Sequence, residues 1–142
     1  MSELTSLWQN YRLQIALACV AGFVLSLVLW PNRKPVPEVL DNIHCAGEAL
    51  AISEYAVQRK SAGNPLDPSI AERIEAHADQ SIKYLRGLRR RDDPAVIEIP
   101  DYMNSAQTTR DAMLERDPAW YVSDTMDRID ACVPRLSSVS SL

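Results

Sequence analysis

Apolar residues dominate one stretch near the start of the chain, LQIALACVAGFVLSLVLW (residues 13–30), which contains no charged residue. A helix needs about 20 predominantly apolar residues to cross the hydrocarbon layer of a bilayer. Trp8 and Tyr11 precede the run and Trp30 closes it, and such amphipathic rings settle at the two headgroup layers. The pattern predicts a transmembrane anchor at residues 13–30 that follows a short polar tail at residues 1–12.

Two kinds of cleaved leader are the alternatives to an anchor. A secretory signal peptide also places a positive residue before an apolar run, but that run is usually shorter, and Trp-Pro-Asn-Arg-Lys after this one offers no small-x-small cleavage site. A lipoprotein leader that ends at Cys19 fits less well, because most of the apolar run follows that cysteine. The pattern therefore favours an anchor that is retained.

Helical spacing of apolar residues begins after a proline-rich linker, which we place at residues 31–37. A first helix is expected from about Glu38 to the Gly and Pro of SAGNP, and a second from Asp67 and Pro68 to about Arg91. The positions expected to face the core are Leu40, Ile43, Gly47, Leu50 and Val57 in the first helix, and Ile70, Ile74, Ala78, Ser81 or Ile82, Leu85 and Leu88 in the second, with His77 at the edge.

Asp-Pro pairs recur along the chain at Asp67-Pro68, Asp93-Pro94 and Asp117-Pro118. An Asp side chain caps the free amides at a helix start, and proline suits the first helical position, where its missing N–H is not needed. We interpret the pairs as independent helix starts, because the residues between them do not match. Between Pro94 and Pro100, the piece AVIEI is expected to be a short turn or extended connector that precedes a third helix at residues 101–116.

The last predicted helix has the most regular apolar pattern, and its seam consists of Val122, Met126, Ile129, Val133 and Leu136. Trp120 is expected to plug one end of the core, and Pro134 to mark the exit from the helix into a polar tail at residues 137–142. No strand-type alternation of useful length appears. We therefore predict an all-α fold, with a single N-terminal transmembrane helix followed by a three- or four-helix bundle at residues 38–136.

Charge is unevenly distributed along the predicted bundle, which is acidic overall although residues 59–91 are net basic. An acidic domain is a poor match for nucleic acid, because duplex binding needs many cations on one face. Near the end of the second helix, a cationic cluster either complements the negative end of the helix dipole or forms a patch for anionic lipid or an acidic partner. This cluster consists of Lys83, Arg86, Arg89, Arg90 and Arg91.

Two of the three cysteines fall in the predicted bundle, Cys45 near the start of the first helix and Cys132 near the end of the last. These ends lie at the same pole of an antiparallel four-helix bundle, so we predict a disulfide bond between them. Such a bond persists in an oxidising compartment. The alternative is a pair of buried free thiols in a reducing cytoplasm.

Residues with catalytic or metal-binding chemistry are few. His44, Cys45, His77 and Cys132 have the ligand types of a zinc site, but adjacent His44 and Cys45 point about 100° apart on a helix. The chain also has no haem-attachment motif, glycine-rich phosphate loop or nucleophile elbow. We expect no metal, no cofactor, no small-molecule substrate and no enzymatic activity.

The charges that flank the anchor hardly distinguish its two orientations, since Arg12 precedes it and Arg33 and Lys34 follow it. The predicted disulfide favours a single-pass protein of the inner membrane whose bundle lies in the periplasm. We expect a non-catalytic interaction module that the lipid bilayer holds within a larger membrane complex, as an accessory or assembly subunit. A periplasmic regulator or inhibitor, for example in phage lysis control, is the alternative, and a cytoplasmic module that acts through the arginine cluster needs the opposite orientation.

Overall fold

Four α-helices and one short 3₁₀ helix form the part of the chain that the computed structural model describes, residues 34–139. The α-helices are α1 (Pro37–Ser61), α2 (Pro68–Arg90), α3 (Ile99–Arg116) and α4 (Pro118–Val139). The 3₁₀ helix, Pro94–Glu98, joins α2 to α3. No strand occurs in these residues. The predicted all-α bundle is confirmed, with four helices.

Each Asp-Pro pair opens a helix, as predicted. The carboxylates of Asp67 and Asp93 each accept a hydrogen bond of 2.9 Å from a backbone N–H, that of Ser69 and of Ala95 respectively. Asp117 accepts one of 3.0 Å from the N–H of Trp120. Each proline follows its capping residue directly, where the helix does not use its missing N–H. The capped Pro94–Glu98 segment is a 3₁₀ turn and not an extended connector.

The α1 helix is central, because it contacts the other three, whereas within the described residues α2 and α3 do not pack against each other. The helices run alternately up and down. Cys45 of α1 therefore meets Cys132 of α4 at one end, and Tyr55 meets Tyr121 near the other. The chain thus places the start of α1, the end of α2, the 3₁₀ helix and the end of α4 at one pole.

We name this end the proximal pole, because the chain enters the bundle there. Arg91 and Glu38 both act electrostatically on the buried hydroxyl of Tyr84, which agrees with α2 ending where α1 begins. The distal pole comprises the α1–α2 loop at residues 62–67 and the α3–α4 junction at Asp117. The two poles carry different chemistry, as described below.

The buried face of α1 is wider than a single stripe, since helices lie on several of its sides. Ile43 and Gly47 are buried as predicted, and Leu40 and Leu50 are half-buried. Val57 is 62% exposed, so its predicted core position is wrong. The α2 helix begins only at Pro68, and a groove of about 340 Å³ between the two helices leaves Val57 uncovered.

The core faces of α2 and α4 follow the predicted spacing. Ile74, Ala78, Leu85 and Leu88 are buried, and Ser81, not Ile82, occupies the position that was ambiguous. All members of the predicted α4 seam are buried, namely Val122, Met126, Ile129, Val133 and Leu136.

Two predictions about α4 are wrong. Trp120 is 49% exposed, and its neighbour Tyr121 fills the core instead, because residues one step apart on a helix point about 100° apart. The helix also continues through Pro134 to Val139, beyond the predicted boundary at Leu136. Proline removes one backbone hydrogen bond but here does not end the helix.

The predicted anchor at residues 13–30 lies outside the described residues, as do the polar tail at residues 1–12 and residues 31–33 of the linker. Within the described part, no helix is both long enough and apolar enough to cross a membrane.

The α3 helix packs closely on α1 at Gly47, where a Cβ atom would be in van der Waals contact with the Tyr102 carbonyl oxygen at 3.4 Å and the Ala106 Cβ at 3.5 Å. A Gly47→Leu substitution has no room and is expected to lower the free energy of unfolding by about 1–3 kcal/mol. Gly87→Leu is the matched control, because nothing lies within 4 Å of a Cβ at Gly87. Urea unfolding of the full chain in detergent, followed by circular dichroism, measures both. Equal stability of the two variants would contradict this account of Gly47.

Candidate functional site

The Cys45–Cys132 pair joins α1 to α4 near the proximal pole. Their Cα atoms are 6.1 Å apart and their sulfur atoms lie at bonding distance, which confirms the predicted pairing. Both residues are buried. The bond spans a sequence separation of 87 residues. Loop-closure entropy for a span of that size favours the folded state by about 4–5 kcal/mol.

A polar groove lies beside this pair, between α1, α3 and α4, with a volume of about 440 Å³. The groove lies where α3 and α4 contact each other less than any other pair of touching α-helices does. We call it the polar groove. Its polar lining consists of His44, Glu48, Ser105, Thr109, Arg110, Tyr121, Thr125 and Arg128.

Arg110 forms the floor of the polar groove and is buried although it is charged. Its guanidinium donates to Glu54 from α1 and, at 2.8 Å, to Asp111 beside it on α3. Burial acts to lower the pKa of Arg110, but hydrogen bonds to Asp111 and Glu54 outweigh it, and the net pKa is raised. Arg110 is therefore a fixed positive charge that joins α3 to α1.

Tyr121 forms another wall of the groove. Its ring packs edge-on against Tyr55 of α1, with 6.0 Å between ring centroids. Burial raises the pKa of Tyr121 to about 12, although a hydrogen bond with Thr125 acts to lower it. The hydroxyl therefore stays protonated at physiological pH.

Arg128 of α4 lines the groove and contacts both α1 and its own helix. It donates to Glu48 of α1 at 3.0 Å, to Asp124 one turn earlier on α4, and to the Thr125 hydroxyl. The imidazole of His44 lies nearby against the ring of Tyr102, with centroids 5.9 Å apart.

The polar groove offers hydrogen-bond donors and acceptors from α1, α3 and α4. Among the described residues, no hydroxyl of the groove is hydrogen bonded to His44. Its cations Arg110 and Arg128 already pair with carboxylates.

The histidines and cysteines are not brought together as ligands. Cys45 and Cys132 bond to each other, and the His77 Nε2 atom lies 2.7 Å from the Asp130 carboxylate, which also pairs with Arg73. In the described part of the chain, no group of three or more His, Cys, Asp or Glu residues is placed to hold a metal ion.

The predicted cationic cluster lies at the end of α2 that is opposite its capped start, and it is separate from the polar groove. All five side chains are exposed, and they occupy the last turns of α2 and the residue after it. They take no part in the polar groove. The members are Lys83, Arg86, Arg89, Arg90 and Arg91.

Comparison of the chain with protein-family models, with curated proteins and with solved structures finds no significant similarity. The function must therefore be inferred from the sites themselves.

Removal of the Arg110 side chain is expected to destabilise the bundle. Arg110→Ala deletes two charge-assisted hydrogen bonds and the packing of a buried aliphatic stem, and we expect a loss of about 1–3 kcal/mol. Glu54 and Asp111 are solvent-exposed enough to recover hydration, which limits the loss. Urea unfolding measures the effect. Arg116→Ala, at an exposed position at the end of the same helix, is the control and should change the free energy of unfolding by less than about 0.5 kcal/mol. Equal effects of the two substitutions would contradict the role of Arg110.

Proposed function

We propose that the protein is a membrane-anchored, non-catalytic interaction module. It serves as an accessory or assembly subunit of a larger membrane complex, and its helical bundle lies on the periplasmic side of the inner membrane. The proposal combines the apolar run at residues 13–30 with the position of the Cys45–Cys132 pair.

The disulfide pair is the observation that carries the proposal. It ties the first turns of α1, which follow the predicted anchor, to the last turns of α4. A bond at this place joins the first and last helices of the bundle near the end that follows the predicted anchor. Bonds of this kind persist in oxidising compartments, which supports a bundle outside the cytoplasm.

A second observation indicates where a protein partner would dock. Trp120 is 49% exposed in the first turn of α4, at the distal pole and away from the predicted anchor. Tryptophan is enriched among the residues that dominate binding energy at protein interfaces. An exposed Trp120 therefore supports a partner that covers the distal pole.

A periplasmic regulator or inhibitor, including one that controls phage lysis, is the second candidate. The same anchor and disulfide suit it, because such a protein also needs a stable domain outside the cytoplasm. It differs in its consequences, since overproduction of a regulator or inhibitor arrests growth or blocks a hydrolase, whereas an accessory subunit has neither effect.

A comparison of exposed apolar substitutions tests the proposed partner contact. Membranes that carry the full chain, washed with alkaline carbonate and solubilised in mild detergent, should yield it in a complex larger than the monomer. Trp120→Ser is expected to release the monomer by removing a dominant contact, whereas Ile97→Ser, at the proximal pole, is expected to leave the complex intact. Size-exclusion chromatography with light scattering gives the masses. A wild-type chain that is monomeric under these conditions would contradict the proposal.

A further inference from the structure

We propose that the proximal pole is a membrane-contact surface on which the arginines at the end of α2 bind the anionic headgroups of the bilayer that carries the anchor. This inference rests on the proposed function, because it requires the anchor to hold the bundle at a membrane. It adds a lipid partner and an orientation to that proposal.

Four of the cations at the end of α2 have no ion-pair partner among the described residues. Lys83, Arg86, Arg89 and Arg90 are exposed, and none forms an ion pair with another described residue. By contrast, the arginines of the bundle body are engaged, such as Arg110 with Glu54 and Arg128 with Glu48. These four side chains are therefore available to an external anion.

Compensation of the helix dipole does not account for the whole cluster. The interaction of a cation with the negative end of a helix falls off within the last turn. Arg89 and Arg90 lie in that turn, whereas Lys83 and Arg86 lie further from the end of α2. On an α-helix, positions 83, 86 and 90 share one face, so these cations present a continuous basic strip along the side of α2.

Exposed apolar side chains accompany the cations at the same pole. Ile97 of the 3₁₀ helix is 77% exposed, and Val36, immediately before α1, is 57% exposed. Cations beside exposed aliphatic groups are typical of surfaces that rest in the headgroup layer, because charge attracts the anionic lipid and the apolar groups enter the acyl boundary.

The acids of the proximal pole lie mostly at helix starts. Glu38 and Asp101 are in the first turns of α1 and α3, and the Asp93 carboxylate caps the 3₁₀ helix. Asp92 and Glu98 are the other acids near the turn. These acids lie at the starts of α1 and α3 and on the turn after α2, whereas the basic strip runs along the side of α2, so we expect the bundle to tilt with that side towards the bilayer.

The length of the linker supports the proximal pole as the membrane-facing end. From Trp30, the end of the predicted anchor, to Pro37, the fully extended chain spans at most about 25 Å. The α1 helix has 25 residues, which corresponds to about 37 Å. The linker is shorter than α1, which supports the proximal pole as the end that contacts the bilayer.

Nitroxide labels at the two poles of the full chain test the inference. One label is placed at Ile97→Cys, and the matched control is Val57→Cys, at an exposed position in the distal half of the bundle. Both substitutions are made in a Cys19→Ser background. Mass spectrometry verifies that each oxidised chain carries one label. The chains are reconstituted into vesicles of phosphatidylcholine alone or with phosphatidylglycerol. Electron paramagnetic resonance then measures collisions of each label with a water-soluble nickel reagent. In phosphatidylglycerol, collisions at position 97 should fall several-fold, and those at position 57 should not change.

Charge removal identifies the groups responsible. Combining Arg86→Gln, Arg89→Gln and Arg90→Gln with the label at position 97 should abolish the effect of phosphatidylglycerol, because neutral amides do not attract the anionic surface. The matched substitution of exposed Arg116, Arg116→Gln, should preserve it.

The possible results separate the two proposals. A chain that does not float with vesicles overturns the proposed anchor, and the membrane-contact surface falls with it. A chain that floats but shows equal nickel access at positions 97 and 57 in both lipids overturns the membrane-contact surface alone. Shielding of position 97 that is the same in both lipids, or that survives the arginine substitutions, contradicts the role given to the cationic cluster.

Discussion

The contact between α1 and α4 is the constraint on which the rest of the bundle depends. The Cys45–Cys132 pair fixes one end of this contact, and the edge-on packing of Tyr121 against Tyr55 holds the other. With these helices side by side, α2 and α3 lie on opposite flanks, and in the described residues they do not touch. The polar groove follows from this arrangement, since α3 leans on α1 through Gly47 and Arg110 and only weakly on α4.

The same arrangement gives the two poles different surfaces. At the proximal pole, the end of α2 presents exposed cations, and Ile97 lies exposed on the turn that follows it. At the distal pole, the start of α4 presents Trp120. The proposed function uses this difference: with lipid at one pole and a protein partner at the other, the bundle would hold the partner at a fixed distance from the membrane.

Sequence patterns predict those parts of the bundle that local chemistry determines. Asp67, Asp93 and Asp117 cap their own helices, and the α4 seam needs only helical spacing to be recognised. The pattern does not reveal which neighbouring helix covers a given segment. Val57 is therefore predicted to be in the core, but α2 begins only at Pro68 and leaves it exposed.

Arg110 shows a related limit of sequence reasoning. Arg110 lies four residues after buried Ala106, so it faces the core side of α3. A charged residue is not expected at a core position unless its partner is known, and the partner here, Glu54, is on another helix. The choice between Trp120 and Tyr121 likewise depends on the rotation of α4 about its axis, which tertiary packing sets.

The state of Cys45 and Cys132 in intact cells tests the central claim most directly. An impermeant thiol reagent that adds mass is applied to cells before and after treatment with a reductant, and labelling is read as a gel shift. The account predicts that both thiols react only after reduction, because they are bonded and lie outside the cytoplasm. Thiols that stay unlabelled until the membrane is breached, and then react without reductant, would place the bundle in the cytoplasm and contradict it.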